Sequence, residues 1–146
     1  MLSLLDNIQI KRVLAPVVAG TSTQTTSSVD CAGKQCVLFV TGLGTLSAGN
    51  VNTVKIQGSD DNSAWVDLTA SSFTVPDSED NLLVLAQVVR PVHRYVRLSI
   101  ARATANAVID LVIAISGVFV RNHPLANDGA DISHYGNLNV VSPAGL

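Results

Sequence analysis

Between Ser22 and Val118 apolar and polar residues alternate in short runs, which Gly, Asn, Asp, Ser and Pro interrupt about every ten residues. A chain punctuated in this way closes into an antiparallel sandwich or barrel. CVLFVTG (36–42) sets Val37 and Phe39 on one face and Leu38 and Val40 on the other. VNTVKIQGS (51–59) alternates more cleanly, with Val54 and Ile56 inward and Lys55 and Gln57 outward. The intervening GLGTLSAGN is predicted to be a turn built on its three glycines. Further strands are expected over 64–68, 72–75, 81–89, 93–101 and 107–116. In the run beginning at Tyr95, Val96, Leu98 and Ile100 take the dry face while Tyr95, Arg97 and Ser99 take the other. Simple alternation in the last run gives an aliphatic ladder of Ile109, Leu111, Ile113 and Ile115, with Asp110, Val112 and Ala114 turned away. No stretch carries capped apolar positions at i, i+3, i+4 and i+7, so little helix is expected. Together with the extended N-terminal segment this makes about eight strands, which suits an all-β, two-sheet, jelly-roll-like sandwich.

Three parts follow: an extended segment over 1–21, a sandwich over 22–120 and a C-terminal arm over 121–146. The arm is rich in Asn, Gly, Asp and Pro without sustained periodicity, so it cannot fold by itself. It is either a disordered tail or an arm that orders only against a neighbouring subunit, and Leu138, Val140 and Val141, which give it apolar groups to bury, favour the arm.

A hydrophobic content of 47% is enough for a proper core, while only 14% of residues are charged, against about 25% in typical soluble domains. Ser, Thr, Asn and Gly must then cover the surface, and much of a surface so poor in charge is expected to meet other protein. The formal charge of −2 offers no general attraction to nucleic acid. VIDLVIAISGVFV (108–120) is too short to cross a bilayer and carries Asp110 and Gly117. The first residues, MLSLLDNIQIKRV, lack the pattern of a secretory leader, so synthesis in a cytoplasm is expected. Cys31 and Cys36 have neither a second pair nor convergent histidines, and are expected to be free, packed thiols, not a metal site or a disulfide.

Chemistry-bearing residues are sparse. Asp60, Asp61 and Asn62 hold part of the oxygen set that calcium requires, but the spacing and closing glutamate of a calcium loop are absent, and Asp-Asp-Asn-Ser also suits a hairpin tip. Trp65 is expected to enter the next strand and close one end of the core; a sugar-stacking platform is the other reading. Arg90, Arg94, Arg97 and Arg102 crowd one region of a chain with nine basic residues, and with Tyr95 they make either a solvated strand start or a candidate subunit or capsid interface, to which Arg121 of the arm is added. Arg94 has the inward parity and must sit at the start of its strand or pair at an edge. His93, His123 and His134 are scattered, no serine sits in a nucleophile elbow, and GLGTLSAG lacks the Lys-Ser/Thr and helix of a phosphate loop. Neither an enzymatic activity nor a cofactor is expected.

VKIQGSDDNSAWVDL followed by RPVHRYVRLSIARATANAVIDLVIAI resembles a pattern in small structural proteins of tailed bacteriophages, over about Val54 to Ile115. That resemblance implies a virion component, with capsid decoration (cement) proteins of jelly-roll-like fold as the nearest type. It brings no catalytic residues. The implied partners are the major capsid protein and further copies of the chain, as a trimer or a dimer, at the outer surface of the head. A head-to-tail connector or tail component, and a carbohydrate-binding host-attachment module, are the other readings.

Overall fold

A computed structural model describes residues 4–118 and 132–136. One helical turn, α1 (Leu4–Asn7), leads into β1 (Ile8–Leu14), β2 (Val17–Gly20), β3 (Gln24–Thr25), β4 (Val29–Asp30), β5 (Cys36–Leu46), β6 (Val51–Ser59), β7 (Val66–Asp67) and β8 (Phe73–Pro76). After a 3₁₀ turn over Asp77–Glu79 come β9 (Leu83–Val89), β10 (Tyr95–Ala103), β11 (Ala107–Gly117) and β12 (Ile132–Gly136). These strands make the expected all-β sandwich. Sheet A runs β1-β11-β5-β9-β12, with β2 also on β11; sheet B runs β3-β10-β6-β7, with β4 also on β10 and β8 on β6. The described segments outnumber the eight strands expected because the N-terminal segment holds two strands, β1 and β2, because β12 falls in the expected C-terminal arm, and because β3 and β4 have two residues each, too few to print an alternation.

Side chains from the inner faces fill the space between the sheets. Val37 and Phe39 on β5, Val54 and Ile56 on β6, and Val96, Leu98 and Ile100 on β10 are all 0% exposed, so these three strands carry the faces that alternation assigns them. Each such side chain contributes about 1.5–3 kcal/mol through burial. The chain passes from sheet A to sheet B through a tight turn at Ser47–Asn50, where Gly49 takes φ 80°. Gly42 and Gly44, expected in that turn, lie within β5 instead. A Cβ on Gly44 would stand 2.9 Å from Val108 Cγ1 and 3.0 Å from Asp110 Oδ1, so β5 needs glycine there to let β11 approach.

That stretch of β11 also overturns the expected aliphatic ladder. The pairing of β11 with β5 shifts register between Ala107 and Ile109 and again between Ile109 and Leu111. An inserted residue inverts every later side chain. Ile109 stays inward, but Val112 and Ala114 follow it into the core, at 0% and 1% exposed, while Leu111 is 38% exposed. Ile113 and Ile115 are half-buried on the outer face.

Within the segment expected to be extended at the N-terminus, β1 and β2 are strands of sheet A, both hydrogen-bonded to β11. Of the C-terminal arm, Ile132–Gly136 form β12, which pairs in parallel with β9 of the same chain. Among the described residues no helix is long and apolar enough to cross a membrane.

Candidate interaction site

The outer face of sheet B joins Lys55, Gln57, Asp67, Arg97 and Trp65 into one network. In register, β10 sets Arg97 opposite Gln57 and β6 sets Gln57 opposite Asp67, so the three stand in one row across β10, β6 and β7. Arg97 Nε donates to Gln57 Oε1 at 2.8 Å, and Gln57 Nε2 donates to Asp67 Oδ1 at 2.7 Å. Lys55, two residues before Gln57 on β6, donates from Nζ to Asp67 Oδ2 at 2.7 Å. Lys55 and Gln57 together hold the Asp67 carboxyl below its usual range, Lys55 having the larger effect. The Arg97 guanidinium lies over the Trp65 ring, 4.2 Å from its centroid, a stacking contact of about 0.5–1 kcal/mol at an exposed site.

Trp65 therefore does not close the core. It is half-buried on the outer face, just ahead of the short edge strand β7. Its partner is a cation on the neighbouring outward row, and an indole on the edge of a sheet gains more from that contact than from the aliphatic interior. Tyr95 shares the face, two residues before Arg97, and the Arg94 guanidinium stands 5.3 Å from its ring while pairing with Asp30 at 3.2 Å. Arg94 thus occupies the start of its strand and pairs at the edge through β4, as its parity requires.

The other arginines separate from this cluster. Arg90 is exposed in the turn after β9, at φ 52°. Arg102 was expected at the interface, but it is 3% exposed and engaged by backbone carbonyls of its own chain, so no partner can reach it. Arg121, Leu138, Val140 and Val141 lie outside the described residues. Sequence reasoning missed Gln57 and Asp67 as members of the site; pairing the outward parity of β6 with that of β10 was the available signal.

The Asp60–Asp61 loop is a turn whose carboxylates already have partners. Asp61 Oδ1 accepts hydrogen bonds from the Ala64 and Ser63 amides, both at 2.8 Å, and from the Ser59 hydroxyl at 2.9 Å. Asn62 takes the left-handed conformation at φ 59° that asparagine tolerates. Asp60 faces the other way, 3.1 Å from His93 Nδ1. The imidazole in turn packs on Gly58, where a Cβ would meet His93 Cδ2 at 2.4 Å. Among the described residues no three His, Cys, Asp or Glu side chains converge as metal ligands.

The Ala64 and Ser63 amides and the Ser59 hydroxyl hold the Asp61 carboxyl below the usual carboxylate range, and the Ala32 amide followed by Arg94 does the same for Asp30. A depressed carboxyl contributes stability that is fully present above its unfolded value of about 3.9 and disappears as pH falls through the lower folded value. Melting temperature should therefore fall as pH drops below about 4, and Asp61→Ala should flatten part of that slope; an unchanged slope would refute the turn as its source. Burial pushes the Cys31 thiol up to about 11 and also raises Cys36, whose sulfur accepts from Gln87 Nε2 at 2.9 Å. Both cysteines are free. Native protein at pH 8 should leave a thiol reagent almost unreacted, and unfolding should release both groups.

The fold and this face together define an all-β sandwich with Arg97 stacked on Trp65, and Tyr95 on the same face, of one sheet. No protein-family model matches the chain, and no curated protein matches it. Among solved structures, the chain is similar to the PBSX exported protein XepA, with 18% identity over 88% of this chain and a TM-score of 0.50. The chain spans less than half of that protein, 46% of its length. It also has some likeness to Bacillus endospore appendages that form disulfide-linked pili, with 12% identity over 78% of this chain and 90% of that one, at a TM-score of 0.45. At these identities the likeness to XepA is one of fold.

Proposed function

We propose that the chain is a structural component of a phage particle, present in many copies and held by protein–protein contacts. In its finer form the reading is a capsid decoration protein that binds the outside of the head and joins neighbouring major capsid subunits, as a homo-oligomer with a trimer favoured. The observation that carries it is the Arg97–Trp65 stack, with Tyr95 two residues away on the same face. Arg, Trp and Tyr are the residues that anchor interfaces, and here Gln57, Asp67 and Lys55 hold the arginine in place before any partner arrives. A pre-ordered side chain loses less entropy on binding. The sandwich shared with a PBSX exported protein and the phage-like text between Val54 and Ile115 support the same reading.

Full-length chain carrying Arg97→Ala or Trp65→Ala, added at sub-saturating concentration to phage heads that lack the protein, should lose about 2 kcal/mol of binding, or about thirtyfold in affinity. Its circular dichroism should be unchanged. Wild-type occupancy by both variants would refute the site. A second reading takes Trp65 and Tyr95, with Gln57 and Asp67 beside them, as a sugar-stacking platform. Glycan-array binding that Trp65→Ala abolishes would favour that reading over the structural one.

A further inference from the structure

Two contacts fix the Arg97 guanidinium on the outer face of sheet B and leave one edge of it open. It lies over the Trp65 ring, 4.2 Å from the centroid, and its Nε donates to Gln57 Oε1 at 2.8 Å. Gln57 is itself anchored, because its Nε2 donates to Asp67 Oδ1 at 2.7 Å. With Nε engaged, the end-on pair of the fork remains, and Nη1 and Nη2 have no hydrogen-bond partner among the described residues. Buried side-chain polar atoms without a partner occur at Thr41, Asn50 and Asn52 and not at Arg97, so both Nη groups face solvent.

The charges around it are already paired. Lys55 Nζ stands 2.7 Å from Asp67 Oδ2, Arg94 Nη2 3.2 Å from Asp30 Oδ2, and His93 Nδ1 3.1 Å from Asp60 Oδ1. Asp61 is turned onto the Ser63 and Ala64 amides. Arg97 makes no salt bridge among the described residues, so the row of Arg97, Gln57 and Asp67 with Lys55 keeps one uncompensated positive charge. Trp65 Nε1, a donor only, also has no partner among the described residues, whereas Gln57 Oε1 and both Asp67 oxygens are engaged. What this face lacks is an acceptor that carries negative charge.

An end-on pair of N–H groups in one plane matches the two oxygens of a carboxylate and holds them with parallel charge-assisted bonds. Phosphate fits the same fork, but its greater charge calls for further cations, and the two nearby, Lys55 and Arg94, are committed to Asp67 and Asp30. A guanidinium already held by Trp65 and Gln57 loses little freedom on pairing.

We propose, on the reading of this face as a protein interface, that Arg97 is the receptor for a carboxylate of the partner, an Asp or Glu side chain seated end-on against Nη1 and Nη2 beside the Trp65 ring. The partner surface is then acidic where it meets β6 and β10.

The only tryptophan of the chain reports on the site. Trp65 emission of the full-length protein is followed during titration with blocked triglutamate, blocked triglutamine or inorganic phosphate, with ionic strength held at about 0.2 M. Triglutamate should shift the emission with half-saturation at about 10 mM or below. Triglutamine and phosphate should be at least about tenfold weaker, and Arg97→Gln should weaken the triglutamate response about tenfold. Arg97→Lys should restore little of it, since an ammonium keeps the charge without the fork. Arg94→Gln, which removes an equal charge nearby, should change it less than about twofold. No response up to about 30 mM triglutamate, an undiminished response in Arg97→Gln, or an equal response to triglutamine or phosphate would each overturn the proposal. Phage particles play no part in this measurement, so a chain that answers triglutamate as expected but is missing from particles would sink the virion role and leave the carboxylate site standing.

Discussion

Arg102→Met should lower the unfolding free energy by about 3 kcal/mol or more, since three carbonyl groups lose a charged donor and each such loss costs about 1–3 kcal/mol when buried. Arg102 Nε donates to Ser22 O, and Nη1 donates to both Val18 O and Ala107 O, all at 2.8 Å, while Nη2 reaches Ser22 Oγ at 3.0 Å. One guanidinium on β10 thereby ties β2, the link that follows it and the start of β11. None of these partners is a carboxylate, so the charge is solvated by three carbonyl dipoles and one hydroxyl. Gly20 makes room for it, since a Cβ there would lie 3.2 Å from Nη2. At about 3 °C per kcal/mol for a chain of this size the melting temperature should fall by about 10 °C. Arg102→Lys should recover little of it, because a single ammonium cannot reach groups spread around a planar fork. A loss under about 0.5 kcal/mol would show that the fork does not tie these segments together.

The second large effect separates two neighbours on β11. Val112→Asp places a carboxylate where the side chain is 0% exposed and should cost about 4 kcal/mol or more, enough to abolish soluble expression. Leu111→Asp, at a position 38% exposed, should stay within about 1 kcal/mol of wild type. Unbroken alternation from Ile109 predicts the opposite order. Urea titration of the two variants settles which parity holds, and a destabilised Leu111→Asp beside a tolerated Val112→Asp would refute the bulge.

The contrast between β11 and its neighbours shows where sequence patterning works. On β5, β6 and β10 the alternation is read correctly because each is paired in continuous register over its core residues. On β11 the decisive event is a mismatch between two strands, a property of the pair that neither run displays alone. Trp65 was misplaced for a related reason: aromatic bulk argues for burial, but the ring lies where β10 delivers Arg97, and only the register of three strands reveals that meeting. Arg102 looked like a surface cation because arginine usually is one. Its burial depends on Val18 and Ser22, about eighty residues away in sequence. The short strands β3 and β4 were invisible because two residues carry no period, whereas β7 lies within the strand expected over 64–68. The Asp61 turn, by contrast, was legible from Asp-Asp-Asn-Ser, since the side chain hydrogen-bonds to amides within three residues of itself.

In the proposed virion role the Arg97–Trp65 face would bind many equivalent neighbours, where modest contacts are multiplied by repetition. Counting copies of the chain in purified particles by quantitative mass spectrometry against a major capsid standard tests this most directly. The account predicts hundreds of copies per particle, near a fixed ratio to the capsid subunit. Six or twelve copies would place the chain in a connector ring instead, and particles free of it would contradict a structural role in the virion.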